Sequence, residues 1–182
     1  MKTEKKKYFR VVLGVGLCLL VRLIPFRAPN VEPILATLMP FSKIYGAIVS
    51  FSFAVSSILL YDVLTGTLGM QTFFTTLAYG IIGLWSVRYF KKQKTNSRMS
   101  YVYFAIIGTL FYDALTGLTV GPIFFHQSFL GSLMGQIPFT ALHLFGNIIF
   151  AFTFSPVIYN FLIRKKKEER LPLINTFYPK TI

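Results

Sequence analysis

The stretch Val31-Glu-Pro-Ile-Leu-Ala-Thr-Leu-Met-Pro-Phe-Ser42 decides the topology of this chain. As a helix it would rise only about 18 Å, against a bilayer hydrocarbon core roughly 30 Å thick. On length alone it reads as re-entrant. Around it lie five longer apolar segments, at about 8–26, 44–64, 72–90, 99–118 and 137–163, the last long enough to tilt within the bilayer. Whether the short stretch is a crossing must come from charge. The basic residues fall in three clusters: the N-terminus (Lys2, Lys5, Lys6, Lys7, Arg10), a central loop (Arg88, Lys91, Lys92, Lys94, Arg98) and the tail (Arg164, Lys165, Lys166, Lys167, Arg170). Lys and Arg collect on the cytoplasmic side, so an even number of crossings separates the first cluster from the second. Segments 8–26, 44–64 and 72–90 make three, and the short stretch supplies the fourth.

The expected architecture is therefore all-α: a polytopic membrane protein of six transmembrane helices, arranged as three outward-opening hairpins with both termini cytoplasmic. Residues 1–7 form a basic lead, 8–163 the bundle and 164–182 a basic tail, all within one integral membrane domain of a multi-pass cell-membrane protein. Composition agrees, with 54% hydrophobic residues, 14% charged residues and a mean hydropathy of +0.60. Soluble domains carry about 25% charged residues. Nineteen Lys and Arg against six carboxylates give a net charge of +13, but because they flank apolar spans they orient the chain, and no nucleic-acid partner is expected. The tail cluster reads most simply as a stop and orientation signal beside membrane lipid. The lone Cys18 excludes a disulfide scaffold. The first segment is too long for a secretory h-region and lacks a small-x-small cleavage site, which makes it a retained helix.

One internal repeat stands out. Leu60-Tyr-Asp-Val-Leu-Thr-Gly66 recurs as Phe111-Tyr-Asp-Ala-Leu-Thr-Gly117, offset by 51 residues. Each copy is expected to end a helix running outward, with the glycine in the left-handed terminating position. Asp62 and Asp113 would then occupy last turns, where the macrodipole disfavours a carboxylate, so each needs a cation, hydrogen-bond donors or a ligand. The plain alternative is that they accept bonds from Tyr, Thr or backbone groups and fix their loops.

Ionisable groups within membrane spans are costly and are candidates for function. Away from the cytoplasmic ends they are Arg22, Arg27, Glu32, Asp62, Asp113, His126 and His143, gathered toward the outer boundary. Arg22 and Arg27 are able to neutralise two of the three acids as structural ion pairs. In the last helix Gln136, Thr140, His143 and Asn147 recur at spacings of four, three and four and share one face. Such a stripe suits either the wall of a solute pocket or interhelical hydrogen bonding. The first external loop, 25–33, has three prolines, Arg27, Asn30 and Glu32, and suits a lid. The connection 118–136 is largely apolar; it is expected to form a partly buried cap packed through Phe124, Phe125 and Phe129, with interfacial anchoring as the alternative.

The chain resembles the substrate-binding S components of energy-coupling factor (ECF) transporters. The resemblance rests on six helices over residues 8–163, the short second span ending Leu38-Met-Pro-Phe41, and a third helix that opens Ile44-Tyr-Gly-Ala-Ile-Val-Ser50 and closes Tyr61-Asp-Val-Leu-Thr-Gly66. It implies a binder of a vitamin or related micronutrient that pairs with a transmembrane coupling subunit and ATPases supplied in trans. It also implies an outward-facing pocket built from the first, third and fifth loops, here around 27–32, 62–71 and 113–127. The family's Ala-x-x-x-Ala docking pattern is missing from the first helix; Gly14 and Cys18 form a small-x-x-x-small pair at that spacing, which fits either partner docking or ordinary bundle packing.

The expected site comprises Arg27, Asn30, Glu32, Asp62, Asp113, Gln136, His143 and Asn147 around a zwitterionic or amide-bearing small molecule, with no metal, cofactor or catalytic role. Three rivals remain: a standalone secondary transporter, a ligand-free membrane scaffold, and an intramembrane aspartyl protease built on the two Tyr-Asp pairs. The protease's Gly-x-Gly-Asp is absent, since Thr109-Leu-Phe-Tyr112 precedes Asp113. Zinc chemistry lacks His-Glu-x-x-His.

Overall fold

The computed structural model describes residues 2–26, 31–93 and 95–177, with side chains for 4–26, 31–93 and 95–163. Arg27, Asn30, Lys94 and the side chains of the tail cluster lie outside these limits. Among the described residues there are six α-helices and no strand: α1 (Lys2–Arg22), α2 (Ile34–Tyr45), α3 (Ala47–Thr65), α4 (Met70–Lys91), α5 (Arg98–Phe124) and α6 (Phe129–Phe177). Three stretches, α3, α5 and Phe129–Ile163 of α6, are long and apolar enough to cross a membrane.

The short segment that decided the topology is the centre of the bundle. Nine consecutive residues of α2, Ile34 to Ser42, are buried, and the helix packs against all five others. A helix enclosed on every side is apolar over most of its surface, as Ile34-Leu-Ala-Thr-Leu-Met-Pro-Phe41 is. Pro40 lies inside it and cannot donate to the carbonyl four residues back. Ser155 of α6 fills that vacancy, its Oγ donating to Ala36 O at 2.7 Å. Phe41 stacks on Phe53 of α3 with centroids 5.2 Å apart. Gly14 of α1 sits beneath both rings, 3.1 Å from each at the position a Cβ would take. Cys18 is buried too, so the small pair on α1 faces inward and the bundle-packing alternative describes it.

The connections alternate between two ends. At one end Lys43 Nζ donates to Thr95 O at 2.7 Å and lies 4.7 Å from the Tyr159 ring centroid. Asn96 bonds Asn160 at 3.0 Å there, and Arg10 bonds the Tyr45 hydroxyl at 3.2 Å. At the other end Arg22 Nη1 reaches Ser57 O at 3.2 Å, and Phe74 meets Phe124 with centroids 5.3 Å apart. The basic sequence clusters mark the first end, and the three carboxylates Glu32, Asp62 and Asp113 lie toward the second. Outward faces carry Phe51, Leu64, Phe73, Ile107, Phe145, Phe154 and Val157, all exposed. An apolar belt of this extent is foreign to a water-soluble monomer.

Two local expectations are corrected. The α5–α6 connection is Phe125 to Ser128 alone, because α5 continues to Phe124 and α6 begins at Phe129. The expected cap at 118–136 is helical on both sides of that turn. Phe125 and Phe129 are exposed by 65% and 61% and do not pack as a lid, whereas Phe124 rests on Phe74 of α4. The two repeat glycines also differ. Gly66 adopts φ 69°, left-handed, and ends α3, but Gly117 is inside α5. Its role is close approach: a Cβ there would fall 1.8 Å from Gln136 Oε1. After Gly66 the Thr67 N–H returns to Asp62 O at 2.9 Å, whereas Leu118-Thr-Val120 carries the second copy onward as helix.

Candidate functional site

Two rungs of hydrogen bonds join α5 to α6 inside the bundle. His143 Nδ1 and Asp113 Oδ1 are 2.8 Å apart, and Asn147 Nδ2 donates to Thr109 Oγ1 at 2.8 Å. Residues 109 and 113, and 143 and 147, are each one turn apart on a shared helix face, so the rungs form a short ladder. All four side chains are buried: Asp113 and Asn147 at 1%, His143 at 3% and Thr109 at 1% relative exposure. Among the described residues three polar atoms of the ladder have no partner, Asp113 Oδ2, His143 Nε2 and Asn147 Oδ1. Buried polar atoms without partners are expensive and exceptional, and three in one ladder mark it as chemically incomplete.

Above the ladder, toward the α5–α6 turn, the stripe continues with Gln136, whose Nε2 donates to Thr140 Oγ1 at 3.2 Å. Gln136, Gly117, Gln127 and Phe139 line both of two adjoining cavities of about 520 and 380 Å³. The first adds Ser128 and Ser132, the second Gln71, Thr75, Tyr112 and Thr116. The lining is amide, hydroxyl and aromatic. Tyr112 and Phe139 also flank the His143 ring edge-on, with centroids 5.6 and 6.0 Å away. Asp113 and His143 thus lie one helical turn below the cavity floor, beneath two aromatic side chains. A third cavity of about 410 Å³, between α1, α2 and α6, is walled by groups such as Leu17, Phe154 and Phe161 and holds none of the stripe.

Glu32 belongs to a second buried group. Its Oε2 lies 3.1 Å from Arg22 Nε, a charge contact in which the N–H is not aligned on the oxygen. Its Oε1 accepts from Tyr79 OH at 2.5 Å. Arg22 further stacks on Tyr61, 3.7 Å from the ring centroid. Tyr79 and Tyr112 are neighbours with centroids 4.7 Å apart, and Tyr112 is within electrostatic reach of Glu32, Arg22, Asp113 and Asp62. The Tyr112 ring joins the two groups, in contact with Tyr79 of one and His143 of the other.

The site residues expected from sequence therefore separate. Asp113, His143 and Asn147 are in the ladder, and Gln136 is in the cavity wall. Glu32 has both carboxylate oxygens committed to Arg22 and Tyr79, the ion-pair alternative. Asp62 is committed to its own turn: Oδ2 accepts from Thr72 Oγ1 at 2.6 Å, and Thr72 Oγ1 in turn accepts from Gly69 N at 3.2 Å. That is the loop-fixing alternative. Arg27 and Asn30 lie outside the described residues. Sequence reading missed Thr109, Tyr112 and Tyr79. Thr109 had a signal, four residues before Asp113 on the same face, but Tyr79 finds Glu32 across 47 residues with no local mark. Among the described residues no three His, Cys, Asp or Glu side chains are grouped to hold a metal ion. Comparison with family models, curated proteins and solved structures returned no match.

Proposed function

We propose that this chain is a membrane-embedded solute-binding subunit of an ECF-type uptake transporter for a vitamin or related micronutrient. In this reading it crosses the bilayer six times, with the basic end cytoplasmic and the ladder end outward. The observation that carries it is the α5–α6 ladder, whose three unpartnered polar atoms lie one turn below amide-lined cavities at the end of the bundle remote from the basic clusters. A polar solute entering from that side would complete the ladder. Energy would come from a coupling subunit and ATPases in trans, since the chain has no phosphate-binding Gly-rich loop with Lys-Ser/Thr.

A second reading, a standalone secondary transporter, is favoured by the buried Asp113–His143 pair, which is able to carry a proton. Reconstitution separates the two. Purified protein alone in liposomes should bind solute without accumulating it under an imposed proton gradient, and accumulation would favour the secondary transporter. Mass spectrometry of molecules retained through detergent purification tests the shared premise. Finding no retained molecule, and no binding from a micronutrient panel, would count against both.

A further inference from the structure

We infer that the ladder takes a cationic, N–H-rich group, an ammonium or amidinium, with Asp113, His143 and Asn147 accepting its hydrogen bonds. This rests on the solute-binding reading and specifies the chemistry of that same site.

The argument begins with which partner each atom already has. An ionised carboxylate only accepts, so the His143–Asp113 contact of 2.8 Å requires the proton on His143 Nδ1. The other nitrogen of a neutral imidazole is then a lone pair. Asn147 spends its Nδ2 on Thr109, which leaves the carbonyl oxygen. Asp113 Oδ2 is a carboxylate oxygen. The three unpartnered atoms are thus all acceptors, and water or ligand groups that donate are what the ladder lacks.

Charge selects among donors. Of the other charged side chains facing this region, Arg22 from α1 and Glu32, just before α2, are paired at 3.1 Å, and Asp62 at the end of α3 is held by Thr72. From α4 comes only the Tyr79 phenol, already donated to Glu32. Among the described residues no Lys or Arg pairs with Asp113 in its buried place, and a buried carboxylate demands a partner. A monocation with several N–H groups answers both needs. Protonated His143 would neutralise Asp113 but would turn Nε2 into an unpartnered buried donor, exchanging one deficit for another. Tyr112 and Phe139 line the adjoining cavity, and aromatic rings beside a site favour a flat cation over an anion.

The test uses full-length protein in detergent, washed extensively, with thermal unfolding followed against benzamidine, benzamide and benzoate. These three share a ring and differ in charge and donor number. Benzamidine should raise the midpoint in a concentration-dependent way, benzamide by less and benzoate not at all. Asp113→Asn should weaken the apparent benzamidine affinity by about a hundredfold, as loss of a charge-assisted partner does. Asn147→Leu should weaken it by about tenfold and serves where Asp113→Asn fails to fold. A benzoate response equal to or larger than that of benzamidine, or a benzamidine response untouched in a folded variant, overturns the inference. Mass spectrometry of the unwashed protein distinguishes the two levels. A retained cation supports both, while a retained anion overturns the cation and leaves solute binding standing. No retained molecule together with a flat response to all three probes overturns both.

Discussion

Replacing Arg22 by Met tests whether the end opposite the basic clusters is built on a buried ion pair. The Arg22 and Glu32 side chains are only 11% and 10% exposed, with 3.1 Å between Nε and Oε2. Removing the guanidinium leaves a carboxylate held by the Tyr79 hydroxyl, in surroundings where an abandoned charge costs about 3–5 kcal/mol. For a chain of this size each kcal/mol lowers the unfolding midpoint by about 2–4 °C, so Arg22→Met should melt roughly 6–20 °C lower. The decisive variant is the double replacement Arg22→Met with Glu32→Gln. It removes the charge with its partner and keeps an amide oxygen for the Tyr79 hydroxyl. What it still loses is the Ser57 carbonyl contact and the stacking on Tyr61, about 1–2 kcal/mol. The double variant should therefore recover most of the loss. Scanning fluorimetry on Trp85 reads both. A double variant that melts at or below Arg22→Met would refute coupling between the two charges and return Glu32 to the candidate ligand contacts.

Three further outcomes are expected. Ser155→Ala should cost about 1–3 kcal/mol because it leaves the Ala36 carbonyl unpaired in the core, and in a Pro40→Ala background, where the backbone N–H is restored, the same change should cost markedly less; chemical denaturation of the four proteins measures this. Gly66→Ala should destabilise by about 1–2 kcal/mol, the cost of a left-handed L-residue at φ 69°, and leave solute retention intact. Gly117→Ala should do the reverse, displacing Gln136 from the cavity wall and lowering retention, scored by mass spectrometry, more than stability. Asp62→Asn should loosen the α3–α4 turn, with faster amide exchange at 66–70, and keep retention, whereas Asp113→Asn should abolish retention; equal effects of the two would mean that the repeats are functionally equivalent.

The helix content and the alternation of ends were legible in the sequence because length and charge are summed over many residues and tolerate local error. The polar face of α6 was legible for the same reason: spacings of four, three and four leave little freedom, and His143 and Asn147 do meet α5. The end of α5 was not legible. Gly117 follows the same six-residue pattern as Gly66, and what distinguishes them is Gln136, brought against Gly117 by α6. Local text cannot encode a neighbour 19 positions away. The ion pair of Glu32 with Arg22 was among the alternatives the sequence offered, but its Tyr79 partner was hidden, since it comes from α4, 47 positions away. The apolar α5–α6 connection misled because hydrophobic residues facing lipid and hydrophobic residues capping a pocket have the same composition.

The three acids near one end differ in how their charge is balanced, and that difference localises the site. Glu32 lies two residues ahead of α2, at the positive end of a helix dipole, and adds Arg22 and Tyr79. Asp62 occupies the last turn of α3, the unfavourable end, and is compensated locally by Thr72 at 2.6 Å and more weakly by Thr67 at 3.5 Å. Asp113 has neither resource. It is inside α5, where the backbone N–H groups are already spent on the helix, and among the described residues its one partner is an imidazole that serves one oxygen and leaves the other bare. A chain selected for stability alone would gain by replacing Asp113 with an apolar residue, because a half-satisfied buried carboxylate is worse than none. Its retention beneath a polar cavity is economical if the missing half arrives from outside, and this ties the reading of the site to a single oxygen atom, Asp113 Oδ2.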